Sequence, residues 1–364
     1  MKKVLFVMPT LGGGGAEKVL VDILNYIDSS KFEISLLLFN KEGIYLDRIP
    51  HEIKVISIND KIKFMPYKIW IRLYKYFPKL FYSIIVREQY DTEIAFMEGY
   101  ATNFIGNSTN KNSKKIAWVH IDLFKLHWTK NMFLPGEEAK IYNKFNDIVF
   151  VSDDARVSFN KLFNENKATK KVIYNPIISD EIVKKANETD IEFDEFTIIS
   201  VGRLNKAKGY DRLINIHSEL VKMYPHKLLI LGEGEERKKL ENIIKDRGVE
   251  KTVELKGFVN NPYPYIKSAD VFISSSRCEG YSLVVAESIV LEKAIISTNT
   301  VGPRELLDNG KYGLLCEESY EGIKNSLEKL LKNKELVKEY SELSKRRKQF
   351  FDYNSIINKI EKIL

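Results

Sequence analysis

The sequence predicts an α/β protein built from two doubly wound, parallel-sheet halves, and three observations carry that prediction. Short continuous apolar runs alternate with segments of helical period. The alternation lapses near residue 180 and then restarts with a new strand. Residues suited to anions stand just after strands, where open α/β sheets bind their ligands.

Residues 4–8 form the first apolar, β-rich run, and four glycines follow, Gly12 to Gly15. Residues 17–27 carry Val19, Leu20, Ile23, Leu24 and Ile27 at helical spacing. Strands are then expected over 32–39, 93–96, 115–119 and 148–151. Runs that are apolar throughout, rather than alternating, mean a sheet covered on both faces. Asn175-Pro176 and the acidic, weakly periodic stretch 187–196 mark a linker. Beyond it, strands are expected over 197–201, 227–231, 253–255, 271–275 and 294–297, with helices over 210–223 and 235–247 between them. Residues 330–364 are helical and lysine-rich. The expected domains are 1–178 and 190–345, with a final helix of about 346–364 packing back on the first.

Composition narrows the classes. The chain has 364 residues, enough for about two domains, and 44% hydrophobic residues, which excludes a disordered or fibrous chain. The formal charge of +7 fits an anionic ligand or surface. Only Cys278 and Cys316 occur, so a disulfide-stapled scaffold is excluded and a cytoplasmic setting is expected. No apolar run reaches the length of about 20 residues that a spanning helix needs. The run at 4–8 is too short for a signal peptide and reads as a buried strand.

Four motifs bear on chemistry. In the first, Gly12 to Gly15 leads into Ala16-Glu17-Lys18. Glycine lets backbone N–H groups approach a ligand, and a helix start favours an anion. Glu17 rules out a P-loop, and Glu17 and Lys18 together rule out a G-x-G-x-x-G loop, leaving a flexible turn as the alternative. In the second, Arg203 leaves a strand end and Lys208 follows five residues later, a fork and a point charge suited to a diphosphate; the alternative is two solvated cations. The third is Glu279-Gly280-Tyr281-Ser282-Leu283 with Glu287 inside the next helix. Carboxylates suit vicinal hydroxyls, and Glu287 interrupts an apolar stretch, so it should be paired or face a polar space. The fourth is His120 at a strand end, where a purely structural histidine is the alternative.

These motifs, in this order, resemble the retaining GT-B glycosyltransferases of family four, whose signature is E-x7-E. Glu279 and Glu287 match with seven residues between them. Val201-Gly202-Arg203-Leu204 with Lys208-Gly209, Leu231-Gly232-Glu233-Gly234, Gly257-Phe258, Gly302-Pro303 with Glu305, and Gly313-Leu314-Leu315 match further family runs. Gly14-Gly15-Ala16-Glu17 and Asn175-Pro176 match in the first half. The resemblance covers nearly the whole chain and is weakest over 40–115.

It implies a GT-B fold, two Rossmann-like domains facing a central cleft, and transfer of a hexose from a nucleotide sugar, with UDP the expected nucleotide. Arg203 and Lys208 would hold the diphosphate, Glu279 the donor sugar hydroxyls and Glu287 the ribose. His120 would lie near the reacting face of the sugar. Gly14, Gly15, Gly202, Gly232, Phe258, Gly280, Tyr281, Ser282 and Leu283 would complete the donor site. The acceptor would be a saccharide or a polyprenyl-diphosphate-linked glycan of capsule, exopolysaccharide or cell-surface synthesis. The chain has no Asp-x-Asp, so protein cations would replace a metal, with retention at the anomeric carbon and no cofactor. A nucleotide-sugar epimerase or phosphorylase, and a non-catalytic partner subunit, are the competing readings.

Residues 61–87 hold seven basic residues and no acidic one. On one helical wheel Trp70, Leu73, Phe77, Phe81 and Ile84 share a face, and Lys68, Arg72, Lys75 and Lys79 the opposite one, with a kink expected at Pro78. Such a segment suits an anionic membrane or a lipid-linked acceptor, and a peripheral place on the inner face of the plasma membrane. An ordinary surface helix is the alternative. No nucleic-acid module accompanies it.

Overall fold

The computed structural model describes residues 1–62 and 67–364; the side chains of Tyr67, Lys68 and Ile71 also lie outside the described residues, and with them the expectation for Lys68. Contacts divide the chain into Met1–Pro176 with Tyr353–Leu364, and Ile177–Asp352.

Among the described residues the first unit holds a seven-stranded parallel sheet, in the order β3-β2-β1-β4-β5-β6-β7. Its strands are β1 (Lys2–Met8), β2 (Phe32–Leu38), β3 (Lys54–Ser57), β4 (Thr92–Ala95), β5 (Lys114–Val119), β6 (Asp147–Phe150) and β7 (Thr169–Val172). The apolar run of β1 is central because both faces are covered: Val4 to Met8 are fully buried. It pairs in register with β2, Lys2 to Phe32 through Met8 to Leu38, and with β4 from Val4 and Thr92.

The second unit holds six parallel strands ordered β10-β9-β8-β11-β12-β13. They are β8 (Thr197–Val201), β9 (Lys227–Leu231), β10 (Val253–Gly257), β11 (Val271–Ser274), β12 (Ala294–Thr298) and β13 (Leu314–Cys316). Both sheets are doubly wound around a central first strand, as expected. Three strands were not anticipated, β3, β7 and β13, and all three are outermost. An outermost strand needs no continuous apolar run: β7 reads Thr-Lys-Lys-Val and none of its residues is fully buried.

The polar stretch after Ile177 is tied into the second unit. Asn261 Nδ2 donates to Lys185 O at 2.8 Å, and Ser268 Oγ donates to Ile191 O at 2.5 Å. The closing helix Tyr353–Ile363 belongs to the first unit and buries Ile357, Ile360 and Ile363. Its Glu361 accepts from the Asp28 N–H and Lys31 Nζ, both at 2.9 Å, and Leu364 O accepts from Thr92 Oγ1 at 2.6 Å.

The basic segment is two helices, not one: Tyr67–Tyr74 and Pro78–Ile85, with Pro78 opening the second. Proline at the first helical position forfeits an N–H that has no helical partner anyway. The single-wheel assignment of faces is corrected by this break. Trp70 and Phe81 are core residues, whereas Leu73, Phe77 and Ile84 are exposed. Lys75 is half-buried and donates from Nζ to Asn131 O at 3.1 Å, so it is removed from the expected membrane set. Among the described residues, no helix is long and apolar enough to cross a membrane.

The second unit also buries a histidine pair. His217 Nδ1 lies 2.9 Å from His226 Nε2, and His217 Nε2 lies 2.9 Å from Thr252 Oγ1. Burial, then the neighbouring ring, pushes His217 down to about 3 from the usual 6.5, and burial lowers His226 as well. The folded rings stay neutral while an unfolded chain takes up protons below about pH 6.5. Their contribution is therefore complete above that value and is lost as pH falls toward 3. The urea midpoint is expected to drop between about pH 7 and pH 4. The His217 ring resonances should not titrate between about pH 8 and pH 5; a midpoint near 6.5 would contradict the neutral, buried pair.

Candidate active site

In the second unit the loops following β8, β11 and β12 meet at the carboxyl end of the sheet. Lys208 Nζ stands 2.5 Å from Glu279 Oε1, and Ser276 Oγ donates to the same oxygen at 2.7 Å. Gly202 makes room for this pair: a Cβ there would meet Lys208 Cε at 2.9 Å. The two loops are bolted together from behind. Ser275 Oγ donates to Lys208 O at 2.9 Å, the Arg277 N–H donates to Ala207 O at 2.7 Å, and Arg277 is ion-paired with Asp211 at 2.9 Å. Arg203 is exposed at the end of β8.

The helix Leu283–Val290 begins at Ser282, whose φ of 50° is costly for a residue with a side chain. The Ser282 hydroxyl is buried and has no hydrogen-bond partner among the described residues. An orphaned hydroxyl beside the unpaired amides of a helix start is the donor set an anion or a sugar oxygen would complete. Gly302 lets the next loop close on it, since a Cβ there would meet Gly280 O at 2.4 Å and Tyr281 Cα at 2.5 Å. Tyr281 is buried beside Ser282. Glu287, one turn into the helix, is buried and accepts from Tyr263 Oη at 3.1 Å, so it is paired as its place in an apolar stretch demands. Phe258, just after β10, is 59% exposed and offers an open ring face. The Gly202 and Gly232 N–H groups donate to Leu231 O at 2.9 Å and Gly257 O at 2.8 Å, so both amides serve close loop packing.

In the first unit the glycine run enters the helix Gly15–Tyr26. Glu17, at its third position, accepts from the Gly14 N–H at 2.5 Å and from Thr10 Oγ1 at 3.0 Å. The Gly14 amide is thus already used, and Glu17 shapes the turn by a backward hydrogen bond.

His120 follows β5 directly. Its Nε2 lies 3.0 Å from Phe96 O, and a carbonyl oxygen only accepts, so Nε2 carries the proton. Burial pushes His120 down to about 4, which leaves Nδ1 as a bare acceptor for a ligand hydroxyl. Sequence reasoning missed the group behind it. Glu98, buried after β4, accepts from the His120 N–H at 2.5 Å and the Ile121 N–H at 3.1 Å. Burial pushes Glu98 up to about 7 from 4.5. Its only sequence signal is an acid placed between an apolar strand and Gly99. Ser276 and Tyr263 were missed too; the run Ser274-Ser275-Ser276 after a strand was the available cue for the first.

Comparison with known proteins follows the same lines. The family model described as "Glycosyl transferases group 1" matches residues 182–348. A Campylobacter jejuni relative is 30% identical over 97% of this chain and 96% of its own length. It is named N-acetylgalactosamine-N,N'-diacetylbacillosaminyl-diphospho-undecaprenol 4-alpha-N-acetylgalactosaminyltransferase. Anabaena HepE, solved with UDP and glucose, aligns with a TM-score of 0.76 and 18% identity over 100% of this chain and 99% of that one. Sucrose-phosphate synthase from Thermosynechococcus elongatus aligns with a TM-score of 0.80 and 13% identity over 100% and 98%. The fold is therefore that of the GT-B glycosyltransferases, and the chain belongs to the glycosyl transferases group 1.

Proposed function

We propose that this glycosyltransferase moves a hexose from a UDP-sugar, with retention, to a polyprenyl-diphosphate-linked saccharide in bacterial surface-glycan synthesis. The observation that carries the reading is the constellation after β8 and β11. A cation, Lys208, stands beside Glu279, and an orphaned Ser282 hydroxyl opens a helix whose buried Glu287 lies one turn on. Breaking the bond between the anomeric carbon and the phosphate oxygen puts negative charge on the diphosphate. Arg203, Lys208 and the helix start offset that charge in place of a divalent ion. The acceptor hydroxyl attacks the same face, and its proton passes to the leaving phosphate oxygen. Glu279 and the His120 Nδ1 accept from donor sugar hydroxyls, Glu287 from the ribose, and Phe258 stacks on the base. The undecaprenol-linked acceptor in the name of the Campylobacter relative supports the acceptor class, and UDP in HepE supports the nucleotide. A lipid-linked acceptor would set this reaction at the inner face of the plasma membrane.

The test is UDP release from a panel of UDP-sugars, with and without a short-chain polyprenyl-diphosphate saccharide, in the presence of chelator. Acceptor-dependent release and an α-linked product are expected. Activity that vanishes with chelator and returns only with a divalent ion would overturn the metal-independent part. No release from any nucleotide sugar would overturn the whole.

A further inference from the structure

The helix Tyr210–Leu220 opens directly after Lys208-Gly209 and buries its first side chain. Gly209, at φ 70°, allows that turn, and a Cβ there would meet Ser275 O at 2.4 Å. The Tyr210 ring joins Leu204, Leu213 and Ile230 in the core of the second unit and is 2% exposed. Tyr210 Oη is buried and has no hydrogen-bond partner among the described residues. A buried phenol ordinarily finds a partner, and leaving it unpaired costs stability. Phenylalanine would fill the same ring space without that cost. An orphaned buried hydroxyl therefore calls for a reason.

The place of this oxygen supplies one. A Cβ on Gly202 would meet Lys208 Cε at 2.9 Å and Tyr210 Oη at 3.0 Å, so the lysine arm and the phenol oxygen share one face of that glycine. The neighbouring polar groups are already committed. Ser200 Oγ donates to Ile273 O at 2.6 Å, and Glu279 Oε1 accepts from Lys208 Nζ at 2.5 Å and from Ser276 Oγ at 2.7 Å. Burial, then the nearby Glu279 charge, holds the phenol above its usual 10, so it stays a neutral hydroxyl with lone pairs to offer. An ammonium carries three donors on a flexible four-carbon chain, and Glu279 engages one of them.

We propose that Tyr210 is a positioning residue for Lys208: its oxygen accepts from the ammonium when the donor diphosphate draws Nζ off Glu279. The exchange keeps Nζ aimed at the leaving phosphate and not free to rotate on its chain. Both groups keep their protons throughout. The role rests on the function proposed above, through the contact between Lys208 and the diphosphate.

The test compares UDP release by wild type, Tyr210→Phe, Lys208→Ala and the double variant. Tyr210→Phe should lower kcat by about tenfold or more and leave donor KM within about threefold, because the contact matters most as charge develops on the phosphate. Its melting temperature should hold or rise, since the change removes an orphaned polar atom and keeps the ring. In the Lys208→Ala background the same change should cost less than about twofold, the mark of a residue that acts only through the lysine. A phenol that merely props the helix would cost the same in both backgrounds and would lower the melt. Wild-type kcat in Tyr210→Phe, with Lys208→Ala crippled, overturns this proposal alone. An equal loss in both backgrounds overturns it too, as does a loss of turnover that tracks a fall in melting temperature. Wild-type turnover in Lys208→Ala strikes the function proposed for that cation, and the role of Tyr210 falls with it.

Discussion

Replacing Lys208 by alanine is expected to lower kcat by about 10² to 10³, with a smaller change in donor KM. The ammonium sits on the surface Gly202 leaves open and is held by Glu279 at 2.5 Å. In the proposed reaction a diphosphate arriving at the helix start at Ser282 would compete for that ammonium, and the charge growing on it as the sugar bond breaks would strengthen the attraction. That is a contribution to the transition state more than to the ground state. The substitution also leaves the Glu279 carboxylate without its cation beside the anion, so part of the loss is repulsion. The Lys208→Ala/Glu279→Ala pair should therefore fall short of the product of the single effects. Lys208→Arg should recover little, since a planar fork does not fit a space shaped for a point charge. Initial rates of UDP release together with a thermal melt check this. Wild-type turnover in Lys208→Ala would remove the cation from the mechanism.

Glu98→Ala is expected to cost both stability and turnover, and Glu98→Gln to separate them. Alanine leaves the half-buried His120 and Ile121 N–H groups without their acceptor, at up to about 1–3 kcal/mol each. It also releases the turn that aims the His120 ring, so kcat should fall further than the melt alone explains. Glutamine keeps an acceptor oxygen and should retain turnover within about tenfold. The pH dependence is the discriminating readout. The folded carboxyl is raised to about 7 from 4.5, so its contribution is complete below about 4.5 and is lost as pH rises through 7. Wild type should lose stability across that window relative to Glu98→Gln. A parallel pH profile for the two would show that Glu98 is not a buried, late-titrating acid.

Particular elements show how much was legible. The central strands β1, β4, β5, β8, β9 and β11 announced themselves because a strand buried on both faces carries a run of apolar residues, even where β4 also buries Thr92 and Glu93. The outermost β3, β7 and β13 did not, since nothing obliges them to be. The glycines and cations after strands were legible as a candidate site because ligand sites in such sheets lie at strand ends. Their duties were less so. Gly202 and Gly232 turned out to serve loop packing, and the Gly14 amide is held by Glu17.

Local pattern alone determined that this chain alternates strand and helix twice over, that its motifs fall at carboxyl ends of strands, and that 61–87 is basic and apolar. Each of these is a property of neighbours within a few residues. Only the tertiary structure decided which apolar side chains on those two helices are core, that Lys208 meets Glu279 across 71 positions, and that Glu98 stands behind His120 across 22. Such pairs are chosen by how sheets and loops stack, and a one-dimensional period carries no record of partners that far apart.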